Sequence, residues 1–196
     1  MAEYKLQYFN MMGRAEPARL IFAYAGVQYK DERIEKSEWP EIKPILHVDG
    51  KQLAQSRVIE RYLGKVFGLA GENEWETAKM EELQACVEDF LIEIQPWFKE
   101  QDNAKKVEIF KQLIESTIIP FITAFENILV TNGTGYFVGD KISYADLAIF
   151  HIFWFMNSKI LPGALRKYPK LHEFVEKISA IDSIKQWINS RPKTEA

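Results

Sequence analysis

The chain has 196 residues, a length that suits one large domain or two small ones. Hydrophobic residues make up 47% of the chain and charged residues 27%, which is typical of a folded globular protein and excludes a disordered one. The net charge of −3 argues against a nucleic-acid partner, because neutralising phosphates requires concentrated Lys and Arg. The single cysteine, Cys86, excludes an internal disulfide framework and a cysteine-based zinc site.

The start of the chain shows no apolar segment of the kind that opens a signal peptide. The most apolar run, residues 147–156, contains His151 and is too short to span a bilayer. We therefore expect a cytoplasmic protein with no membrane partner.

The first third of the chain predicts a mixed α/β structure. Side chains that alternate in polarity over residues 4–9 predict a strand. A helical pattern follows over residues 16–24. Pro17 suits the first turn of this helix and Gly26 suits its end.

A hairpin is predicted next, because Asp49-Gly50 is a strong two-residue turn signal between strands. Ser56 is predicted to be the N-cap of a helix that ends near Gly68. The remaining elements of this part are a strand over residues 29–34, a short helix before a strand over residues 44–48, and a strand over residues 51–54.

Strand signals nearly vanish after the polar stretch at residues 68–74. Amphipathic patterns predict long helices over residues 75–98 and 105–130, the second with a kink at Pro120. Ser143 and Asp146 have the spacing of a capping box, with Asp in place of the usual Glu, ahead of an almost wholly apolar helix. Two further helices are predicted over residues 165–181 and 183–190. The chain is thus predicted to form an α/β domain over residues 1–67 and an all-α domain over residues 74–196.

Besides this pattern of helices and strands, several separated sequence motifs resemble those of a known protein family. They are Tyr4-Lys5-Leu6, Tyr8-Phe9-Asn10-Met11, Gly13-Arg14-Ala15-Glu16, Arg33-Ile34-Glu35, Glu38-Trp39-Pro40-Glu41-Ile42-Lys43, Gln55-Ser56, Arg61-Tyr62-Leu63, Ser143-Tyr144-Ala145-Asp146, Ile188 and Arg191-Pro192-Lys193-Thr194. As a set they resemble the cytosolic glutathione transferases, and the sigma class in particular. That class includes invertebrate detoxifying transferases, glutathione-dependent prostaglandin D synthases and cephalopod lens S-crystallins. The resemblance covers essentially the whole chain. It implies a thioredoxin-like amino-terminal domain followed by an all-α carboxy-terminal domain.

The resemblance implies that the hydroxyl of Tyr8 activates the sulfur of glutathione, supported by the charge of Arg14. A free thiol with a pKa of about 8.5 is mostly protonated at neutral pH, and a hydrogen-bond donor aimed at the sulfur stabilises the thiolate. A tyrosine suits this task because it keeps its own hydrogen at pH 7. Taken alone, Tyr8 also fits the pattern of a buried strand tyrosine with no catalytic role.

The resemblance also implies a binding site for the rest of glutathione. Trp39 and Lys43 would hold the glycyl end, and Gln55 and Ser56 the γ-glutamyl end. Asp89 would reach the γ-glutamyl amine from the partner subunit of a homodimer. Ser56 equally fits a simple helix cap, and Asp89 equally fits a solvated helix charge.

Pro44 matches a family proline whose peptide bond is cis, which would set the backbone of Lys43 against the cysteinyl part of glutathione. Sigma-like sequences carry a loop with a Pro-Phe-Gly stretch between these two residues, and this chain lacks it. The electrophile pocket would be lined by Phe9, Met11, Trp97 and Ile152. No metal is expected to be required, and a divalent ion near Glu88 and Asp89 is left open.

The function implied is a glutathione transferase that conjugates the glutathione thiolate to small hydrophobic electrophiles. Glutathione is then a cosubstrate. Two alternatives are a glutathione-dependent prostaglandin D isomerase and a non-catalytic, crystallin-like or ligand-binding protein of the same fold. Retention of Tyr8, Arg14, Gln55 and Ser56 favours the enzyme, and the missing loop favours a non-catalytic relative.

Overall fold

A computed structural model of the protein describes residues 2–35 and 45–194. Its helices and strands are β1 Tyr4–Phe9, α1 Glu16–Ala25, β2 Lys30–Ile34, β3 Ile45–Val48, β4 Lys51–Ala54, α2 Ser56–Val66, α3 Glu74–Lys99, α4 Asn103–Leu113, α5 Ile119–Asn132, α6 Tyr144–Phe155, α7 Pro169–Ser179 and α8 Asp182–Ser190. Within these residues every strand precedes α2, as predicted. The short helix predicted before β3 lies outside the described residues.

The four strands form one mixed sheet in the order β2-β1-β3-β4. β1 and β2 are parallel and α1 is the crossover between them, whereas β3 runs antiparallel to both β1 and β4. The hairpin prediction is confirmed, because Asp49 and Gly50 have φ angles of 47° and 78°. Two successive residues with positive φ are what a tight hairpin turn requires.

The predicted limits of helix α1 are confirmed. Pro17 lies in its first turn, and Gly26 is a left-handed C-cap with a φ of 66°. The first two turns of the helix are buried on every side. Residues 16–22 are all buried, including the charged Glu16 and Arg19. A buried charge requires a partner, so α1 brings a polar cluster into the interior.

The helix predicted over residues 105–130 is present as a continuous helical stretch, Asn103–Asn132. Within it α4 ends at Leu113, a π-helical segment occupies Ile114–Ile118, and α5 begins at Ile119. Pro120 follows the π-helical segment, in the first turn of α5. A proline is tolerated there because the first turn has no use for its missing N–H.

The helix predicted over residues 165–181 is also divided. A 3-10 turn at Ala164–Lys167 is followed by Tyr168, which has an extended φ of −125°, and α7 begins at Pro169. The ring of a proline disfavours helical geometry in the residue before it, which explains the break.

The chain divides into two compact units. The first contains Met1–Ala70, Ile142–His151 and Lys177–Ala196. The second contains Gly71–Lys141 and Ile152–Glu176. The domain limits 1–67 and 74–196 stay a prediction.

In the first unit, the capping box before α6 is confirmed. The side chain of Asp146 accepts the N–H of Ser143 at 2.8 Å, and the hydroxyl of Ser143 accepts the N–H of Asp146 at 3.2 Å. Both residues are buried, so these bonds satisfy donors that water cannot reach. Six phenylalanines of the second unit form one cluster of ring contacts, namely Phe90, Phe121, Phe125, Phe137, Phe153 and Phe174.

One described segment, Asn103–Asn132, is long and apolar enough to cross a bilayer by length and composition. Its most apolar stretch is 33% buried. Core helices of soluble proteins meet the same criterion, so this is a weak indication. The absence of a membrane partner stays a prediction.

Candidate active site

The topology of the sheet brings two of the predicted glutathione-binding segments to one edge. Gln7 on β1 pairs with Ile45 on β3, and Ile45 pairs with Ala54 on β4. Tyr8 follows Gln7, and Gln55 follows Ala54. Neighbouring strands lie about 4.8 Å apart. The backbones of Tyr8 and Gln55, which are two strands apart, are therefore separated by roughly 10 Å across the sheet.

Tyr8 is held by the turn that follows β1. Its side chain is on the buried face of the strand and is only 7% exposed. Its hydroxyl oxygen accepts the backbone N–H of Arg14 at 3.2 Å. The oxygen is thus anchored by a backbone donor, which leaves the hydroxyl hydrogen to point to another acceptor.

Gly13 allows this contact. A Cβ at position 13 would lie 2.8 Å from the Tyr8 hydroxyl and 3.0 Å from its ring, and the φ of Gly13 is +43°. Glycine avoids both the clash and the backbone strain. The sequence predicted support from the charge of Arg14, whereas the contact seen here comes from the backbone of that residue.

The start of α2 differs from the prediction. Gln55 occupies the N-cap position, with a φ of 75°, and Ser56 is the first helical residue. The helix has no side-chain cap at this end. A positive φ in a residue other than glycine is strained, and such strain concentrates at functional sites. The carbonyl of Gln55 accepts the N–H of Ile59 at 2.9 Å, so the strained residue closes the first turn of α2.

The first turn of a helix provides backbone N–H groups that the helix does not use, together with a positive dipole. These features suit a carboxylate. The geometry therefore fits an anion site at Gln55 and Ser56, at the same end of the sheet as Tyr8 and separated from it by β3.

The other predicted site residues lie in several places. Phe9 and Met11 are half-buried in the first unit, at the end of β1 and in the turn after it. In the second unit, Asp89 is exposed on α3 and Ile152 is buried on α6. Trp39, Lys43 and Pro44 lie outside the described residues, as does the predicted cis bond.

Trp97, the remaining pocket residue, lies on α3 in the second unit. Its ring stacks on Phe110 at 5.0 Å and has the ammonium of Lys106 5.4 Å from its centroid. It also lines a small, wholly apolar cavity of about 10 Å³, which holds no more than one water molecule.

The sequence did not reveal a buried charge cluster in the first unit. The carboxylate of Glu16 accepts the indole N–H of Trp187 at 2.7 Å and a guanidinium N–H of Arg191. The Nε of Arg19 donates to Asp31 at 3.1 Å, and its Nη1 lies 3.4 Å from Glu16. The only signal in the sequence is the i, i+3 spacing of Glu16 and Arg19 inside an otherwise apolar helix.

Burial and charge act against each other in this cluster. Burial raises the pKa of Glu16, but His151, Arg191 and Arg19 together bring it below its ordinary value. Burial lowers the pKa of His151 to about 4, although Glu16 acts in the opposite direction. Glu16 is therefore ionised and His151 neutral at physiological pH.

Among residues 2–35 and 45–194, no group of three His, Cys, Asp or Glu side chains is placed to hold a metal ion. Cys86 is exposed, and burial of part of its side chain raises its thiol pKa, which disfavours the reactive thiolate.

Comparison with known proteins gives the family. Residues 4–65 match the glutathione S-transferase amino-terminal domain, and residues 88–191 match the glutathione S-transferase carboxy-terminal domain. The chain is similar to glutathione S-transferase 1 of Ascaris suum, with 35% identity over 205 positions and 99% of each chain covered. It is similar to the human hematopoietic prostaglandin D synthase, with 36% identity over 207 positions and all of each chain covered.

The same relationship appears in three dimensions. A solved structure of monomeric Na-GST-3, a glutathione S-transferase of Necator americanus, superposes with a TM-score of 0.87 at 33% identity, covering 99% of this chain and all of that one. The chain belongs to the glutathione S-transferase family. It has the fold of that family and is a glutathione transferase, an enzyme class that uses glutathione as cosubstrate and acts on electrophiles.

Proposed function

We propose that this enzyme conjugates the thiolate of glutathione to small hydrophobic electrophiles and that Tyr8 is the residue that stabilises the thiolate. The observation that carries the proposal is the bond from the Arg14 N–H to the Tyr8 oxygen. It fixes the phenol at the sheet edge and leaves its hydrogen for the sulfur. A hydrogen bond to a charged group contributes about 1.5–3 kcal/mol, which corresponds to roughly a 10- to 100-fold change in rate.

The remaining contacts follow the arrangement of the site. The γ-glutamyl carboxylate binds the start of α2 at Gln55 and Ser56, where unused N–H groups and the helix dipole favour an anion. Trp39, Lys43 and Pro44 are proposed to bind the glycyl and cysteinyl parts. Phe9, Met11, Trp97 and Ile152 are proposed to line the pocket for the electrophile, since all four are large and apolar.

We further propose a cytoplasmic homodimer of the sigma class, in which Asp89 of one subunit reaches the γ-glutamyl amine bound by the other. The exposure of Asp89 on α3 is compatible with this role. The Necator americanus relative is described as monomeric, so the oligomeric state is a point to measure. Light scattering distinguishes a monomer from a dimer. In a dimer, Asp89→Asn should raise the KM for glutathione and leave kcat unchanged, with the exposed Glu93→Gln as control on the same helix.

The experiment that tests the proposal combines retention on immobilised glutathione with conjugation of chlorodinitrobenzene. Tyr8→Phe is expected to bind glutathione and to lower the conjugation rate roughly 10- to 100-fold. Tyr4→Phe is the matched control, because Tyr4 lies on the same buried face of β1 and is 8% exposed. If Tyr8→Phe binds glutathione and conjugates at the rate of the unchanged protein, the proposed role of Tyr8 is wrong.

A second candidate is isomerisation of a prostaglandin-like endoperoxide, which the similarity to the human prostaglandin D synthase favours. The same thiolate would serve this reaction. Incubating the protein with an endoperoxide and glutathione, and analysing the products, tests this activity separately from conjugation.

Membership of the glutathione transferases argues against the alternative of a non-catalytic role. The alignment with the human relative spans 207 positions although the chain has 196 residues, so this chain lacks residues that the relative has.

A further inference from the structure

Arg19 carries a buried charge next to the proposed active site. Its side chain is fully buried, with no exposed surface. Two carboxylates compensate the charge, Asp31 at the Nε and Glu16 at Nη1. Because charges are costly to bury, an arginine in this position needs a further reason for its presence in α1.

The reason lies in its contacts with the turn after β1. Nη1 of Arg19 donates to the carbonyl of Met11 at 2.8 Å and to the carbonyl of Met12 at 3.3 Å. The carbonyl of Met12 also accepts the N–H of Glu16 at 3.1 Å. The planar guanidinium thus donates from Nη1 to two successive peptide groups, and its Nε donates to Asp31 on β2.

Met11 and Met12, whose carbonyls accept these bonds, directly precede the two residues that contact Tyr8. Gly13 lies against the Tyr8 ring, and the N–H of Arg14 donates to the Tyr8 hydroxyl at 3.2 Å. That distance is already at the long end of the range for a hydrogen bond, so a shift of the turn by less than 1 Å breaks it. The guanidinium carbon of Arg19 is also 6.0 Å from the centroid of the Tyr8 ring.

A second anchor lies on the far side of the arginine. The carboxylate of Glu16 that faces Arg19 is held by Trp187 and Arg191, both near the end of the chain. Its orientation is therefore fixed by contacts outside α1 as well as by α1 itself. A continuous path of bonds runs from α8 through Glu16 and Arg19 to the turn that holds Tyr8.

We infer that Arg19 is a positioning residue for the thiolate-stabilising hydroxyl: it fixes the turn at residues 11–14 so that the Arg14 N–H holds the Tyr8 oxygen and the Tyr8 hydrogen points to the sulfur of glutathione. This inference rests on the proposed function of Tyr8. Arg19 contacts neither substrate in this role. Its effect depends on the geometry of the guanidinium, so a lysine, which has the same charge but no planar fork, does not replace it.

The first test measures the stability of the turn in the unliganded protein, as the rate of hydrogen exchange at the Arg14 amide. We expect Arg19→Lys to speed this exchange at least tenfold. Asp31→Asn, which keeps an oxygen acceptor at Nε but removes its negative charge, should speed it to a smaller extent. Lys30→Met is the matched control, because Lys30 is exposed on the same strand as Asp31 and pairs with Glu32.

The second test measures the ionisation of the glutathione thiol through the pH dependence of conjugation. In Arg19→Lys the pH profile of kcat/KM for conjugation should move to higher pH by one unit or more, and the affinity for S-methylglutathione, which has no free thiol, should change less than threefold. Unchanged Arg14 exchange and an unchanged pH profile in a folded Arg19→Lys protein overturn the inference. If Arg19→Lys does not fold, Asp31→Asn decides by the same two readouts.

The two proposals fail in different ways. If the unchanged protein neither binds S-methylglutathione nor conjugates, the proposed function fails, whereas the exchange of the Arg14 amide still reports whether Arg19 holds the turn. If the unchanged protein conjugates and the Arg19 and Asp31 variants keep its pH profile, only the role of Arg19 fails.

Discussion

The backbone N–H of Arg14 donates a hydrogen bond to the hydroxyl oxygen of Tyr8 at 3.2 Å. The two residues are six positions apart, and the turn between them brings the donor back over the end of the strand. A backbone donor has no side-chain freedom, so the position of the Tyr8 oxygen is set by the path of the turn. The geometry of the active site is therefore sensitive to small changes in that turn.

Gly13→Ala tests this sensitivity. Its Cβ would be 2.8 Å from the Tyr8 oxygen, so we expect kcat/KM for conjugation to fall at least tenfold while the protein stays folded. Gly26→Ala is the control. Its φ of +66° causes similar backbone strain, but nothing lies within 4 Å of the added Cβ. Gly26→Ala should cost about 1 kcal/mol of stability and leave kcat/KM unchanged. Equal activity of the two variants would show that the turn does not control Tyr8.

Close packing of Gly64 against Tyr144 gives a prediction about stability. A Cβ on Gly64 would be 2.5 Å from a ring carbon of Tyr144, which is fully buried and has no room to move. Gly64→Ala should destabilise the protein by about 1–3 kcal/mol in urea unfolding. Glycine-to-alanine changes at exposed helix positions have the opposite sign. Lys65→Ala, exposed on the same helix, should change stability by less than about 0.5 kcal/mol.

The capping box before α6 is expected to contribute more than an exposed cap. Asp146 is buried, and its side chain accepts both the N–H and the hydroxyl of Ser143. Asp146→Ala leaves these donors unsatisfied and should cost about 2 kcal/mol or more. At the start of α3, Asn73 accepts the N–H of Glu76 in an exposed setting, and Asn73→Ala should cost only about 1 kcal/mol. Equal losses in thermal unfolding would show that burial adds nothing to this cap.

His151 gives the protein a stability that depends on pH. Its pKa is about 4 in the folded protein and about 6.5 in an unfolded chain, so the unfolded state binds the proton first as pH falls. The free energy of unfolding should therefore be highest above pH 6.5 and fall by about 3 kcal/mol as the pH drops to 4. Glu16 acts in the same direction, but only below its ordinary pKa, so the range from pH 7 to 5 reports mainly on His151.

The check is urea unfolding across that range. His151→Gln should remove most of the pH dependence. His47 also has a lowered pKa because of burial, but it is only half-buried, so His47→Gln should remove less of the slope. A His151→Gln protein with the same slope as the unchanged protein contradicts this account.

Features encoded by neighbouring residues were predicted well. Pro17 and Gly26 gave the limits of α1, Asp49-Gly50 gave the hairpin, and Ser143 with Asp146 gave the cap of α6. Each of these signals acts through the local backbone, where a proline, a glycine or a short polar side chain has one preferred geometry. No distant contact is needed to interpret them.

Other features depend on contacts that a local pattern does not contain. Glu16 and Arg191 are 175 positions apart, so their pairing could not be inferred from spacing. Periodicity continues through Pro120 and Pro169 and predicts that both lie inside long helices. In the structure Pro120 follows a π-helical segment, whereas Pro169 begins α7. At α2 the pattern predicts Ser56 as the cap, whereas in the structure Gln55, with its strained backbone, is the N-cap and Ser56 is the first helical residue.

The most direct test of the central proposal is the ionisation of glutathione bound to the enzyme, followed by thiolate absorbance as a function of pH. We expect the thiol pKa of bound glutathione to lie well below that of free glutathione in the unchanged protein and in Tyr4→Phe. In Tyr8→Phe it should rise by roughly 1–2 units, because one hydrogen bond to the thiolate is lost. A bound thiol that ionises at the same pH with and without the Tyr8 hydroxyl would contradict the proposed role of Tyr8.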